Sequence, residues 1–421
     1  MKPNTEKDPD RGEHPSGGAS RNHPVIWGAC RILTSLSRQQ PDLSFEVDFP
    51  GYRQNFGAQK PDFVVRFRNM SSVSHFIFSG GIGLGVEYMK GAVDVEGDLQ
   101  SLLHVASASA LSRKGNAPLA TFEELRNRFG RTALWKGGPP EAGRKSRFRN
   151  EFYRSWLDAN MTHSCALYEN TSDDLDTAQL NKYRNICRQL RLRRGDSLLD
   201  AGCGWGGMMF YAAERFGARC TGYTQSEHQY EHVREEIHKR GLEGRVDVVL
   251  DDYRTATGRF DRFVCIGMFE NKGLRHDRSF FRKTRKLLKP EGIGVLHTIG
   301  SGGGRRFNRL VSSHIFPGGS VPTLEKITGR MARENLWVYD LEDLHHHCAL
   351  TLDEWARRFD QAASSLELPE YVVRMWRLYL NACAVGFKTG DLRNYQITFT
   401  PERTSRIRVT RRYAYADPMP A

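Results

Sequence analysis

Residues 198–207, LLDAGCGWGG, combine a short apolar run, an acid and a series of glycines. Asp200 lies near the end of the apolar run, and Gly202, Gly204 and Gly206 follow at every second position. Glycine lets a backbone turn tightly and approach a ligand closely, and α/β proteins use such loops between a strand and a helix. The segment therefore predicts a cofactor-binding loop rather than an ordinary turn.

Two classes of cofactor loop are rich in glycine. A dinucleotide-binding loop has the form G-x-G-x-x-G, with an acid at the end of the next strand. Here the acid precedes the glycines, as D-x-G-x-G-x-G, and the next strand runs into TGYTQSEHQ without a terminal acid. This order is typical of class I methyltransferases, so we expect S-adenosylmethionine (SAM) as the cofactor.

Polar residues after the next two strands are placed to complete the cofactor site. Thr224 and Gln229 stand where a helix begins and are suited to hold a pair of sugar hydroxyls. Asp252 and Tyr253 follow the next apolar run, where the carboxylate can accept from an adenine amino group. The alternative for Asp252 is a turn or capping role.

Strands and helices alternate between about residues 176 and 300, which predicts a parallel, doubly wound sheet. The expected strands are LLDAG, RCTGYT, RVDVVLDD, FDRFVCIGMFE and GIGVLHTIG, and YQITFT is a late strand. Residues 301–380 are mostly helical in pattern. The expected fold class is therefore α/β, a Rossmann-like class I SAM-methyltransferase sheet with a helical lid insertion and a smaller N-terminal α+β domain.

The chain divides into segments of different composition. The first residues are polar and rich in Gly and Pro, which predicts disorder. The stretches LSFEVDF, DFVVRF, HFIFSGGIGLG and AVDVEGDL then predict a small domain with several strands. The expected segments are a disordered tail at 1–22, an N-terminal domain at 23–130, a basic linker at 131–150, the methyltransferase domain at 151–400 with an insertion at about 301–380, and a basic tail at 401–421.

The composition narrows the class of protein. Lys and Arg number 62 against 49 Asp and Glu, and the net charge of +13 indicates an anionic partner such as nucleic acid or a membrane surface. No apolar run is long enough to span a bilayer, and the N-terminus lacks the apolar core of a secretory signal. The eight cysteines are scattered singly, so we expect a reducing cytoplasm and neither a zinc site nor disulfides.

The chain resembles the cyclopropane-fatty-acyl-phospholipid synthases, which include the mycolic acid cyclopropane synthases and related fatty-acid C-methyltransferases. The resemblance is carried by FVVRFRN, GVEYMKGAVDVEGDL, SCALYEN, LLDAGCGWGG, TGYTQSEHQ, FDRFVCIGMFE, LKPEGIGVLHTIGS, IFPGGSVP and YLNACAVGFKTGDLRNYQITFT. It implies methyl transfer from SAM to a carbon–carbon double bond of an unsaturated, phospholipid-bound acyl chain. It also implies lipid or membrane contact by the N-terminal domain, and Ser164 joins the expected cofactor residues.

The implied chemistry leaves a carbocation on the acyl chain, which aromatic faces can stabilise. Five aromatic residues are candidates, each with core packing as the alternative: Trp205, Phe269, Tyr371, Trp376 and Tyr379.

In the family a bound bicarbonate then removes a proton, and a cyclopropane ring closes. The resemblance implies that Cys165, Glu270 and His297 form the bicarbonate pocket, with Glu270 accepting a hydrogen bond and His297 donating one.

Several positions depart from the family pattern on the side of the cation. Cys348, in HHHCALTLDEW, stands where the family has a tyrosine, and His163 replaces a second tyrosine. MFENKG places Asn271 where a histidine is usual, and Tyr339 aligns with an acidic position. Both Cys348 and His163 are therefore included among the expected catalytic residues. The alteration predicts that methyl transfer is retained more readily than ring closure, with a methyl-branched, methylene or methylated polyene product as the alternative.

The expected location is the cytoplasm, with peripheral contact at the inner surface of an anionic membrane. Two basic stretches suit that contact, with a solvated surface as the alternative: Arg144, Lys145, Arg147, Arg149 and Arg154, and Arg403, Arg406, Arg408, Arg411 and Arg412. The run His345–His346–His347 is not expected to bind a metal, because adjacent helical residues point about 100° apart. The oligomeric state is left open, with a homodimer among the options.

Other classes of protein remain as alternatives. A nucleic-acid methyltransferase would explain both SAM and the positive charge, but an amino-methylating enzyme would carry N/D-P-P-Y/F where this chain has GMFENKG, so nucleic acid is not expected as a partner. A small-molecule methyltransferase would have no use for Cys165, Glu270 and His297 together. A non-catalytic lipid-binding relative would not bind SAM.

Overall fold

The computed structural model describes residues 23–111, 150–272, 277–302, 321–402 and 410–411. The predictions for the tail at 1–22, the linker, the first basic stretch except Arg154, and most of the C-terminal tail concern residues outside these ranges, as does the side chain of Asn271. The chain forms two compact units, Met1–Lys136 and Gly137–Ala421.

In the first unit, the described residues 23–111 form a four-stranded sheet and three helices. The helices are α1 (Pro24–Gln39), α2 (Met70–Met89) and α3 (Leu99–Leu111), and the strands are β1 (Phe45–Phe49), β2 (Tyr52–Phe56), β3 (Phe63–Phe67) and β4 (Val93–Gly97). The sheet order is β2-β1-β3-β4, with β1 and β3 parallel. One face is lined by stacked phenylalanines; the Phe45 ring lies 5.0 Å from Phe56 and 5.2 Å from Phe63.

The stretch HFIFSGGIGLG is helical, so the expectation of a strand there is wrong. It lies in α2, where Gly80 has φ 58° and breaks the helical path. The chain folds back at this point, as shown by the contact of His75 Nδ1 with Glu87 Oε1 at 2.9 Å. Glycines that disfavour a long helix instead permit two short helical segments to pack against each other.

The second unit is built on a seven-stranded sheet in the order β10-β11-β9-β8-β5-β6-β7. Its strands are β5 (Ser197–Ala201), β6 (Arg219–Thr224), β7 (Val246–Leu250), β8 (Phe260–Ile266), β9 (Leu288–Ser301), β10 (Trp337–Asp343) and β11 (Leu392–Thr400). Strands β5 to β9 are parallel, and β10 and β11 are antiparallel to their neighbours. The doubly wound α/β sheet expected from the sequence is confirmed.

Helices cover both faces of this sheet. They are α4 (Asn150–Arg154), α5 (Leu175–Gln189), α6 (Gly207–Phe216), α7 (Glu227–Lys239), α8 (Asp277–Leu287), α9 (Leu324–Arg333), α10 (His345–Ala362) and α11 (Glu370–Lys388). Most of the described residues between 321 and 380 are helical, as expected, but Trp337–Asp343 pairs with β11 as the edge strand β10, which was not predicted. Its exposed and charged residues hid this strand from pattern analysis.

The direction in which strands are added to the sheet changes between β5 and β8. Strands β6 and β7 follow β5 towards one edge, whereas β9 follows β8 towards the other. In open α/β sheets ligands bind at the carboxyl edge at such a point. Asp200, near the end of β5, pairs in register with Gly222 of β6 and Val264 of β8. The fold thus places the glycine loop at the centre of the carboxyl edge. Within the part of the chain that the structure describes, no helix is long and apolar enough to cross a membrane.

Candidate active site

A cavity of about 520 Å³ opens at the carboxyl edge of β5, β6 and β8. Its walls include most of the residues that the sequence assigns to the cofactor, together with His163: Ser164, Asp200, Gly202, Gly204, Thr224, Gln229, Asp252 and Tyr253. The structure therefore brings together side chains from four separate segments. Gly206 is not part of the lining.

Glycine is present at two positions of the loop for different structural reasons. Gly206 precedes α6 with φ 87°, and a Cβ there would lie 2.8 Å from the Phe210 ring. Gly204 has φ 57°, lines the cavity, and has no atom within 4 Å of the position of a Cβ. Packing therefore requires a glycine at 206, whereas Gly204 leaves open space in the cavity wall that a ligand can fill.

Asp200 is buried and has unused hydrogen-bonding capacity. It is 2 % exposed, and its Oδ1 has no hydrogen-bond partner among the described residues. Burial raises the pKa of its carboxyl to about 7, and the nearby Lys182 ammonium opposes the shift. A buried oxygen without a partner is costly unless a ligand supplies the missing donor. The site therefore fits a cofactor that carries a cationic or hydrogen-donating group.

Lys182 is a cavity residue that the sequence analysis missed. It lies on α5, is fully buried, and donates from Nζ to Ser164 Oγ at 3.1 Å. Burial lowers its pKa to about 7, against the opposing influence of Asp158, Cys165 and Asp200. A lysine on the apolar stripe of an amphipathic helix was the available signal, since Leu175, Ala178 and Ile186 share its face.

Thr224 and Gln229 lie together, as the sequence suggested. Thr224 Oγ1 donates to Gln229 Oε1 at 2.7 Å. Asp252 lines the cavity, but Arg254 donates to it from the backbone N, Nε and Nη2, each at 2.9 Å, and Gln225 donates at 3.3 Å. An adenine amino group would have to displace one of these donors to reach the carboxylate.

A cluster of aromatic rings forms one side of the cavity. Tyr153 and Trp205 line it with their rings 4.8 Å apart, and His163 lies 5.1 Å from the ring of Trp355. Trp376 lies 5.6 Å from both Trp156 and Tyr379. Tyr153, Trp156 and Trp355 were not predicted, because they are distant in the sequence and individually resemble core residues.

The aromatic candidates therefore separate into two groups. Trp205 lines the cavity, and Trp376 and Tyr379 belong to the cluster of rings that contains Tyr153. Phe269 instead packs against Phe280 and Phe281 in the core, at 4.9 and 5.3 Å, and is 2 % exposed. Core packing is the correct interpretation for Phe269.

Cys165, His297 and Cys348 contact one another but are not part of the cavity lining. The segment after Ser164 is held by α10, where Thr351 Oγ1 accepts from the backbone of Ala166 at 3.0 Å. Burial raises the pKa of the Cys165 thiol, but hydrogen bonds with Cys348 and His297 outweigh it and bring the pKa to about 5. Glu270 is nearby and accepts from Thr298 Oγ1 at 2.9 Å.

His297 is held by amides of β11 that the sequence analysis did not consider. Its Nδ1 lies 3.0 Å from Gln396 Oε1, and its Nε2 lies 2.9 Å from Asn394 Nδ2. Gln396 uses its own Nε2 to donate to Gln189, so its oxygen faces the imidazole and accepts from Nδ1–H. The role expected for His297 as a donor to bicarbonate stays a prediction, because the proton on Nδ1 is directed at Gln396 and Nε2 faces the Asn394 amide.

The remaining sequence features have structural roles among the described residues. His345 contacts Asp343 and Arg393, and His347 accepts from the backbone of Tyr168. No group of three or more His, Cys, Asp or Glu in the described ranges is arranged to hold a metal. Arg411, from the second basic stretch, forms ion pairs at 2.9 Å with Asp340 and Glu342.

Comparison with protein families gives two matches. The model described as mycolic acid cyclopropane synthetase matches residues 146–397, which cover more than half of the chain. A model for a domain of unknown function, DUF7884, matches residues 32–117.

Individual relatives agree with the first of these matches. A probable fatty acid methyltransferase of Pseudomonas putida is 34 % identical over 325 residues, which cover 75 % of this chain and 81 % of that protein. The cyclopropane-fatty-acyl-phospholipid synthase of Escherichia coli K12 is 35 % identical over 268 residues, covering 62 % and 68 %. The crystal structure of mycolic acid cyclopropane synthase CmaA1 with SAH and CTAB is 30 % identical, with a TM-score of 0.56 over 59 % of this chain and 93 % of that one.

Proposed function

Because this chain belongs to the mycolic acid cyclopropane synthetase family, we propose that it methylates a carbon–carbon double bond of an unsaturated acyl chain, carried by a phospholipid. The enzyme is a SAM-dependent methyltransferase. The observation that carries the choice of acceptor is the cavity itself, whose wall combines the glycine loop, including Trp205, with the neighbouring ring of Tyr153.

The residues of the cavity divide the work of holding the two reactants. When bound, SAM supplies an electrophilic sulfonium methyl. Gly202 and Gly204 provide the wall against which it lies, Asp200 pairs with its ammonium group, and Thr224 and Gln229 hold the ribose hydroxyls. Orientation of this kind can contribute much of the rate when the nucleophile is weak.

An alkene has no proton to lose before attack, so the acceptor side acts by position and by exclusion of water. Tyr153, Trp205 and the rings behind them keep the double bond in a dry environment. Their faces stabilise the positive charge that develops on the neighbouring carbon after transfer of the methyl group. The C–H electrons of the new methyl then close a ring if a base removes its proton.

We propose that bicarbonate, if it serves as this base, is held less firmly here than the family pattern implies. Cys348 occupies a position where the family has a tyrosine, and the N–H of His297 is directed at Gln396 rather than at an open site. The cation can then lose a proton from a neighbouring chain carbon, or from the new methyl group after a 1,2-hydride shift, and either loss leaves a carbon–carbon double bond. A methyl-branched alkene, a methylene chain or, from a polyunsaturated acceptor, a methylated polyene is the expected product, and the cyclopropane is the competing one.

Lipid analysis of a host that expresses the chain tests the acceptor and the product separately. We expect acyl chains heavier by one CH₂ with the wild type and none with Asp200→Ala, which removes the expected partner of the SAM ammonium. NMR of the purified acyl chains identifies the product, and a purely cyclopropane product would refute the altered outcome. If no such lipid forms although S-adenosylhomocysteine (SAH) binds the protein, the proposed acceptor is wrong.

We further propose that the protein acts at the cytoplasmic surface of an anionic membrane. Support comes from the net charge of +13 and from the need to reach an acyl chain in a bilayer. Binding to anionic vesicles should weaken as salt rises from about 50 to 500 mM, because screening shortens the reach of surface charges. Neutral vesicles serve as the control. Salt-independent binding, or equal binding to both vesicles, would contradict the proposal.

A further inference from the structure

Lys182 lies inside the cavity as a fully buried basic side chain. No carboxylate of the described residues lies within 4.0 Å of its Nζ. Within the same residues its one hydrogen bond goes to Ser164 Oγ at 3.1 Å, and its Nζ also lies 4.3 Å from the centre of the Tyr183 ring. An ammonium has three donors, so two remain for a ligand. Fully buried lysines are rare unless they are paired.

The two nearest carboxylates do not satisfy this cation. Asp158 is buried, but its oxygens already accept from Asn160 N at 3.0 Å and from Thr162 N and Oγ1 at 2.7 and 3.0 Å. Asp200 retains an oxygen without a partner. The cavity thus presents one cation and one acid, each with unused capacity, on adjoining parts of its wall.

An α-amino acid is the ligand group that complements such a pair, because it carries an ammonium and a carboxylate on one carbon. We infer that Lys182 binds the α-carboxylate of the methionine part of SAM, opposite the ammonium that Asp200 receives. The inference rests on the proposed position of SAM in this cavity. It makes Lys182 a positioning residue that fixes the amino-acid end of the cofactor by charge.

The burial of Lys182 has a measurable consequence for proton binding. Burial holds its pKa at about 7, with Asp158, Cys165 and Asp200 acting in the opposite direction. At pH 8 the amine is therefore largely neutral in the free protein. An incoming carboxylate favours the ammonium form, so binding takes up a proton. Asp200 is already largely ionised at pH 8 and contributes little to this uptake.

A thermodynamic cycle between one side chain and one ligand group tests the inference. Calorimetry on the full chain compares SAH with decarboxylated SAH, which lacks only the α-carboxylate, for the wild type and for Lys182→Met. We expect removal of the carboxylate to cost the wild type at least tenfold in affinity and to cost the variant less than threefold. Lys239→Met, at an exposed lysine of α7, is the matched control and should behave as the wild type.

The wild type alone gives a second readout that needs no variant to fold. Titrations at pH 8 in buffers of different ionisation enthalpy should show proton uptake with SAH and less uptake with decarboxylated SAH. Equal loss of affinity in wild type and Lys182→Met, or equal uptake for both ligands, would overturn the inference while leaving SAM binding intact. Failure of SAH to bind the wild type would overturn both this inference and the proposed position of the cofactor.

Discussion

Substitution of Gly204 by alanine tests whether the open side of the glycine loop receives the cofactor. Gly204 has φ 57°, and the position of a Cβ has no atom within 4 Å, so the methyl group itself meets no protein atom. The expected loss of stability is therefore only that of a left-handed alanine, about 1–2 kcal/mol. In a unit of this size that lowers the melting temperature by about 2–4 °C per kcal/mol.

The effect on the cofactor should be larger than the effect on the fold. The added methyl occupies a wall of the cavity, and an extra methyl in a well-packed contact costs about 1–3 kcal/mol. We therefore expect SAH to bind about 5- to 150-fold more weakly to Gly204→Ala. Calorimetry measures this directly, and thermal unfolding without ligand measures the cost to the fold.

Gly241 offers a matched control. It has φ 61°, also has no atom within 4 Å of a Cβ, and does not line the cavity. Gly241→Ala should lose a similar amount of stability with no change in SAH affinity. Unchanged SAH affinity in Gly204→Ala would refute the view that the loop contacts the cofactor. Equal losses of affinity in both variants would show that the effect comes through general destabilisation.

Two further predictions concern charged groups of the same unit. Arg254→Ala should leave SAH affinity unchanged or higher, because the substitution releases the Asp252 carboxylate. Asp252→Ala should lower SAH affinity in the same calorimetric assay. A large loss of affinity with Arg254→Ala would contradict a role for Asp252 in binding adenine. Although burial opposes it, contacts from Lys289 and Ser197 lower the pKa of Asp261 to about 2, so this group stabilises the fold above pH 4 and the stability is lost as the pH falls towards 2. Urea unfolding measures the free energy of unfolding at pH 5 and at pH 2.5. Between these values the free energy should fall by about 2 kcal/mol less in Asp261→Asn than in the wild type, and an equal fall in both proteins would count against the ion pair.

The glycine loop between β5 and α6 could be predicted because all of its determinants are local. Asp200 and the glycines are contiguous with a buried strand before them and a helix after them, and the structure has this order. Lys182 was missed because its importance depends on burial against a loop from another segment. A charged residue on the apolar face of α5 was the only local sign of it.

The surroundings of the residues expected to hold bicarbonate could be predicted only in part from the sequence. Resemblance named Cys165, Glu270 and His297, but it said nothing of the amides that set the protonation of the imidazole. Gln396 lies directly opposite His297 across β9 and β11, and such pairing depends on register between strands about a hundred residues apart. The edge strand β10 was missed for a related reason, since an exposed antiparallel edge carries no continuous apolar run.

The predictable and the unpredictable residues lie on different sides of the candidate site. The wall that carries the expected cofactor residues is built from short segments that directly follow β5, β6 and β7. The aromatic side uses Tyr153 from α4, Trp355 from α10 and Trp376 from α11, which meet only in the folded chain. A change in one of these rings can alter the shape offered to an acyl chain without disturbing the loop at Gly204. We therefore expect that changes among these rings, where His163 lies 5.1 Å from Trp355, can vary the double bond and the product while the methyl donor stays the same.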